Sequence, residues 1–64
     1  MFKFELGEII KVQVLGRLTT GEIVERTLTE NIYGKRVRYG VMWDGDFENR
    51  VEPYESDLVE YQQL

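Results

Sequence analysis

No cysteine and no histidine occur among these 64 residues. The first absence removes disulfides and thiolate metal sites, and it fits a reducing interior. The second removes the commonest metal ligand and the commonest general base. Serine is nearly as scarce: Ser56 stands alone, with no histidine to activate it, so nucleophilic catalysis finds no support. The glycines follow no phosphate-loop spacing, and no apolar run approaches the roughly 18 residues of a membrane span. The opening "MFKFELGE" is too acidic and too short for a signal peptide. The expectation is a cytoplasmic, non-catalytic chain without cofactor, metal or membrane partner.

Length is also in short supply. A chain of 64 residues is one domain, spanning 1–64, and such a domain buries only about 60% of the surface its unfolded form exposes. A core of this size rarely supplies more than roughly 3–5 kcal/mol. Stability therefore has to come from packing, or from packing plus self-association, and a homodimer is compatible with that thin margin.

What is present is the composition of a folded chain: 42% hydrophobic, 31% charged and 12% aromatic. The net charge of −4 is unevenly placed. Residues 1–43 carry seven Lys/Arg against five Glu, whereas residues 44–64 carry seven Asp/Glu against Arg50 alone. An acidic chain is a poor prior for unspecific DNA binding, because polyanion affinity scales with the phosphates neutralised. A local basic patch is still able to touch nucleic acid.

Strand signals dominate the pattern. "EIIKVQV" alternates Ile10, Val12 and Val14 with Lys11 and Gln13, the period of a half-buried strand. "LGRLTTG" reads as a loop bracketed by Gly16 and Gly21. In "EIVERTLT" the apolar Ile23, Val24 and Leu28 do not share one parity, so that strand bends strongly or bulges. "ENIYG" reads as a loop, and "KRVRYGVMW" then places Val37, Tyr39, Val41 and Trp43 on one face. Pro53 opens a single helical turn in "PYESDL", and "LVEY" reads as a closing strand.

The Asp44-Gly45 turn is tested by register. A two-residue loop would pair Trp43 with Asp46 and put Phe47 and Val51 on the face away from Val41, splitting the core. A three-residue loop of Trp43, Asp44 and Gly45 sets Val41 against Phe47 and Val37 against Val51. That register is preferred, and it leaves Trp43 at a lip. Five short strands so arranged predict an all-β fold, a small closed barrel with one short 3₁₀ turn before its last strand. Closure would protect edges that so small an open sheet exposes.

The residue order resembles the SH3-like small barrels, and within them the Tudor-like group. "GEIIKVQVLGRLTTGEIVE" looks like that fold's first two strands, and "YGVMWDGDFENRVEPYESDLVEY" is similar to its Y-x-V-x-[FW]-D hairpin, valine strand, 3₁₀ turn and closing strand. The resemblance implies a five-stranded SH3-like barrel. It also implies an aromatic cage for methylated Lys or Arg, to which Trp43, Phe47 and Tyr33 are this chain's candidates. The spacing of Gly16 and Gly21 is similar to that of KOW-type modules. "VEPY" keeps only the ends of the V-Q-I-Y motif of the plasmid-borne dihydrofolate reductases, whose activity is not carried over.

Two surfaces are candidates for function. Trp43, Phe47 and Tyr54 would line a groove whose acidic rim, Asp44 and Asp46, attracts a cationic side chain of a protein or peptide through cation–π contacts of about 0.5–2 kcal/mol each. The alternative for these aromatics is core filling, with Tyr39, Val41, Phe47, Val51 and Leu58 packed together and Trp43 covering an open end. Lys35, Arg36 and Arg38, with Arg26 beside them, form the second candidate, a face able to hold phosphates. No aromatic interleaves with these basic residues on their own face, which counts against a stacking platform. The acidic string lacks calcium-loop spacing and reads as a solvated face that steers a basic partner. The leading expectation is an adaptor or regulatory module that binds a protein or peptide. The second is a nucleic-acid-associated accessory protein of a phage, plasmid or gene cassette.

Overall fold

The alternation of Ile10, Val12 and Val14 produces strand β1 (Ile9–Val14), with all three side chains buried. The computed structural model describes residues 2–58, and in it β1 turns back after only two residues. Leu15 and Gly16 both lie in the left-handed region, at φ 51° and 79°. That is the turn geometry whose twist matches an antiparallel pair. Strand β2 (Arg17–Asn31) therefore starts at once, and the stretch expected as a loop up to Gly21 is strand instead. Gly21 pairs with Ile10 inside the sheet, where a Cβ would stand 2.5 Å from Val41 Cγ1. Its glycine answers to close packing, with no loop to end.

The mixed parity of Ile23, Val24 and Leu28 has its cause in a β-bulge. Opposite strand β3 (Gly34–Met42), Ile23 faces Val41 and Glu25 faces Gly40, so Val24 is an extra residue. Beyond it the pairs run Arg26–Tyr39, Leu28–Val37 and Thr29–Arg36. The bulge switches parity in mid-strand, and so keeps Ile23 and Leu28 on one face. The turn between β2 and β3 is only Ile32–Tyr33, tighter than the loop expected over 30–34.

Among the described residues the five-stranded SH3-like barrel is not found. The sheet has three antiparallel strands in the order β1-β2-β3, and it is open. The reason lies after β3. Residues 43–50 wind into a loop containing a 3₁₀ turn, Phe47–Asn49, where a tight hairpin was expected. Asp46 starts that turn by accepting a hydrogen bond from Glu48 N at 3.0 Å. Val41 consequently meets Val51, not Phe47, and Arg38 meets Tyr54, as two isolated bridges. The parity argument holds, because odd still faces odd, but the register lies four residues from the expected one. Residues 51–54 are fastened to the edge of β3 by few bonds, Val41 N to Val51 O at 2.8 Å and Tyr39 N to Pro53 O at 3.0 Å among them. Pro53 has no N–H to extend a ladder. A second 3₁₀ turn, Glu55–Asp57, follows where one was expected. The expected closing strand lies, apart from Leu58, outside the described residues.

The core comprises Phe4, Ile10, Val12, Val14, Ile23, Tyr39 and Val41, with Phe2, Val37, Trp43, Val51 and Leu58 packed at its margin. Phe47, expected in this core, is 45% exposed. Phe4, which the strand pattern does not single out, is buried against Tyr39 with ring centroids 5.4 Å apart, edge to face. Tyr39 ties three segments together through its hydroxyl. It accepts from Lys3 N at 2.9 Å and Phe4 N at 3.1 Å, and donates to Glu55 Oε2 at 2.5 Å. Among the described residues no helix is long and apolar enough to cross a membrane.

Candidate functional site

Beyond the bulge, β2 and β3 continue as a two-stranded arm past the core. Period-two geometry then sorts its side chains. Tyr39, Val37, Leu28 and Arg26 share the core-side face, while Arg36 and Arg38 share the other with their cross-strand partners Thr29 and Thr27. Lys35, opposite Glu30, has that same core-side parity, and so does Arg26; both are grouped by sequence with the basic patch, and Arg26 is thus on the opposite face. Its guanidinium lies 4.5 Å from the Phe2 ring and donates to Phe4 O at 3.3 Å, clamping the N-terminal segment.

The four-residue register difference moves Tyr54 along the basic face, from a place opposite Gly34 to one opposite Arg38. Its ring stacks on both guanidinium groups, 4.9 Å from Arg36 Cζ and 4.4 Å from Arg38 Cζ. Its hydroxyl accepts from Arg36 Nη1 and Arg38 Nη2. These hydrogen bonds and charges hold the Tyr54 phenol below its ordinary pKa, the Arg36 bond first and the Arg38 charge next. The expectation that no aromatic interleaves with the basic residues is overturned. The signal missed in the sequence was Asp46-Phe47-Glu48-Asn49, an N-cap residue opening a turn, which lengthens the loop and moves Tyr54 along β3.

Two open concavities, each of about 440 Å³, flank this stack and share Lys35, Arg36 and Tyr54. The first extends over Thr29 to Tyr33 at the arm's tip. The second is bounded by Glu55 and Ser56. Arg38 leans on Glu52 at 3.9 Å, and Lys35 reaches Glu30 at 3.9 Å; these pairs are solvent-exposed, the weak kind. The Arg36 and Arg38 groups keep donors for a further acceptor, since a guanidinium carries five.

The other candidate surface is largely taken up by its own loop. Trp43 packs at the core margin, and its Nε1 donates to Asn49 O at 2.9 Å. Asp44 accepts from Asp46 N at 3.0 Å and from Asn49 Nδ2 at 3.2 Å. Asp46 is the N-cap already described. Phe47 has one ring face covered by Arg50, whose Cζ is 4.0 Å from its centroid. Arg50 in turn pairs with Glu25 at 3.3 Å and Glu52 at 3.4 Å. The acids and aromatics of residues 43–50 thus shape the loop, while Tyr54 belongs to the basic face. Tyr33 is at the arm's tip, among the residues bordering the first concavity and separate from the loop of Trp43 and Phe47.

No family model, curated protein or solved structure matches this chain.

Proposed function

We propose that this chain is a nucleic-acid-associated binding module that takes a phosphate backbone along Arg36 and Arg38. The observation that carries the reading is the stacking of both guanidinium groups on Tyr54, beside an open concavity. Stacking orders two long side chains before any ligand arrives, so less rotamer entropy is lost on binding. Guanidinium suits phosphate because its donors form a planar fork that meets two oxygens at once. Asp44 and Asp46 accept hydrogen bonds within their own loop, and Arg36 and Arg38 gather on one face despite the net charge of −4. A protein or peptide reader built on Trp43, Phe47, Asp44 and Asp46 has less to support it, because those groups are hydrogen-bonded or covered within their own loop.

Fluorescence anisotropy of a labelled oligonucleotide, titrated with protein at several salt concentrations, tests the proposal. The logarithm of affinity is expected to fall linearly with the logarithm of salt, with a slope near −0.7 per phosphate neutralised on a single strand. Arg36→Glu with Arg38→Glu is expected to abolish that slope. Binding that ignores salt, or survives the double reversal, overturns the proposal.

A further inference from the structure

The arm ends in two exposed side chains, Ile32 at 90% and Tyr33 at 92% exposure. Tyr33 N donates to Asn31 Oδ1 at 2.8 Å, so the tip is wound in one way, with Tyr33 bordering the first concavity. At the other end of that concavity stands the Tyr54 stack. Arg38 lies five positions after Tyr33, a span of about 17 Å of extended backbone. Between the two rings lie Arg36 and its cross-strand partner Thr29.

We infer that this surface takes single-stranded nucleic acid, with a base stacked on Tyr33 and the following phosphates held by Arg36 and Arg38. The inference rests on the phosphate-binding reading above and adds to it which nucleic acid is bound and by which ring. Tyr54 has its ring engaged by Arg36 and Arg38. Among the described residues no ring or cationic contact engages Tyr33, so it has its π-face to offer. A base in a duplex is stacked on its neighbours, and reaching it requires unstacking of a few kcal/mol. An unpaired base needs none of that, and any base has a face to stack. A cationic track with an aromatic at its end is the arrangement by which single strands are bound with little regard to sequence.

The test compares three probes on the intact chain: an oligothymidylate single strand, a blunt mixed-sequence duplex, and inorganic polyphosphate, which has charge but no base. Oligothymidylate is expected to bind most tightly and to move the Tyr33 ring proton resonances upfield. Tyr33→Leu is expected to weaken oligothymidylate binding about five- to a hundredfold, the range of one base–aromatic stack. Its salt slope and its polyphosphate affinity should stay as in the wild type. Tyr33→Phe should keep the affinity. Tyr33 is exposed, so circular dichroism of both variants should match the parent. Tyr33→Leu binding oligothymidylate as well as wild type, or a duplex binding as tightly as the single strand, overturns the stacking inference and leaves the phosphate site standing. Failure of all three polyanions to bind in a salt-dependent way removes the phosphate site itself.

Discussion

Gly21 shows how little room a core of this size leaves. It is buried between β1 and β3, and an added methyl would sit 2.5 Å from Val41 Cγ1 and 3.3 Å from the Met42 carbonyl oxygen. The first neighbour is a stiff β-branched side chain and the second is backbone, so neither yields easily. Gly21→Ala is expected to cost about 1–3 kcal/mol, as overpacking does. In a domain holding roughly 3–5 kcal/mol in all, that is a large share. A urea titration followed by circular dichroism should show the midpoint falling sharply; an unchanged midpoint would mean the sheet relaxes there. Sequence reading attached Gly21 to a loop because glycine marks both turns and close approaches. The distinction rests on a neighbour twenty residues away in β3.

Among the elements, the β1–β2 turn carries an avoidable cost. Leu15 is 92% exposed and sits at φ 51°, a region where a non-glycine side chain is disfavoured. Its side chain gains no burial in return. Asparagine tolerates this conformation and is favoured before glycine in such a turn. Leu15→Asn is therefore expected to stabilise the chain by about 0.5–2 kcal/mol. A higher thermal midpoint would verify it, and a lower one would mean that Leu15 packs against something in solution. The loop after β3 is the opposite case. Its acidic residues and Trp43 look like a ligand site in sequence, yet Asp44, Asp46 and Trp43 are hydrogen-bonded within it. An aspartate two residues before the N–H it accepts from serves a turn as readily as a ligand. Composition cannot separate the two uses.

Over the whole molecule, the Tyr39–Glu55 contact links the N-terminal segment, β3 and the second 3₁₀ turn, and it titrates at both ends of the pH scale. Glu55 is held below its ordinary pKa, first by the Tyr39 hydroxyl and next by the Lys3 amide. A carboxyl depressed in the fold contributes stability that is present above its unfolded pKa and is lost as pH falls through the folded one. Tyr39 is raised above its ordinary phenol value, first by burial and then by the Glu55 bond. That contribution is present below the unfolded phenol pKa and is lost as pH climbs through the raised value. Stability is thus expected to be level across neutral pH, to fall in acid below the ordinary carboxyl range and to fall in strong alkali. Tyr54 acts in the opposite sense, since its phenol is lowered by Arg36 and Arg38. The Tyr39 limb is therefore read as the difference between wild type and Tyr39→Phe in denaturant midpoints across pH. Ring-carbon chemical shifts should show Tyr54 ionising before Tyr39. The reverse order would contradict both environments.

Local pattern alone settled that the described residues are all-β, that Ile10, Val12, Val14, Tyr39 and Val41 face inward, and that the second strand carries an irregularity. Those features follow from alternation at a period of two, which each strand states within its own few residues. Only the tertiary structure decided that the sheet stays open, that Phe47 stands outside it, and that Tyr54 joins Arg36 and Arg38. All three turn on the length of one loop, where a single capped turn slides the following segment four positions along β3. Partners separated by sixteen or eighteen residues are matched by the path between them, and strand periodicity does not record that path.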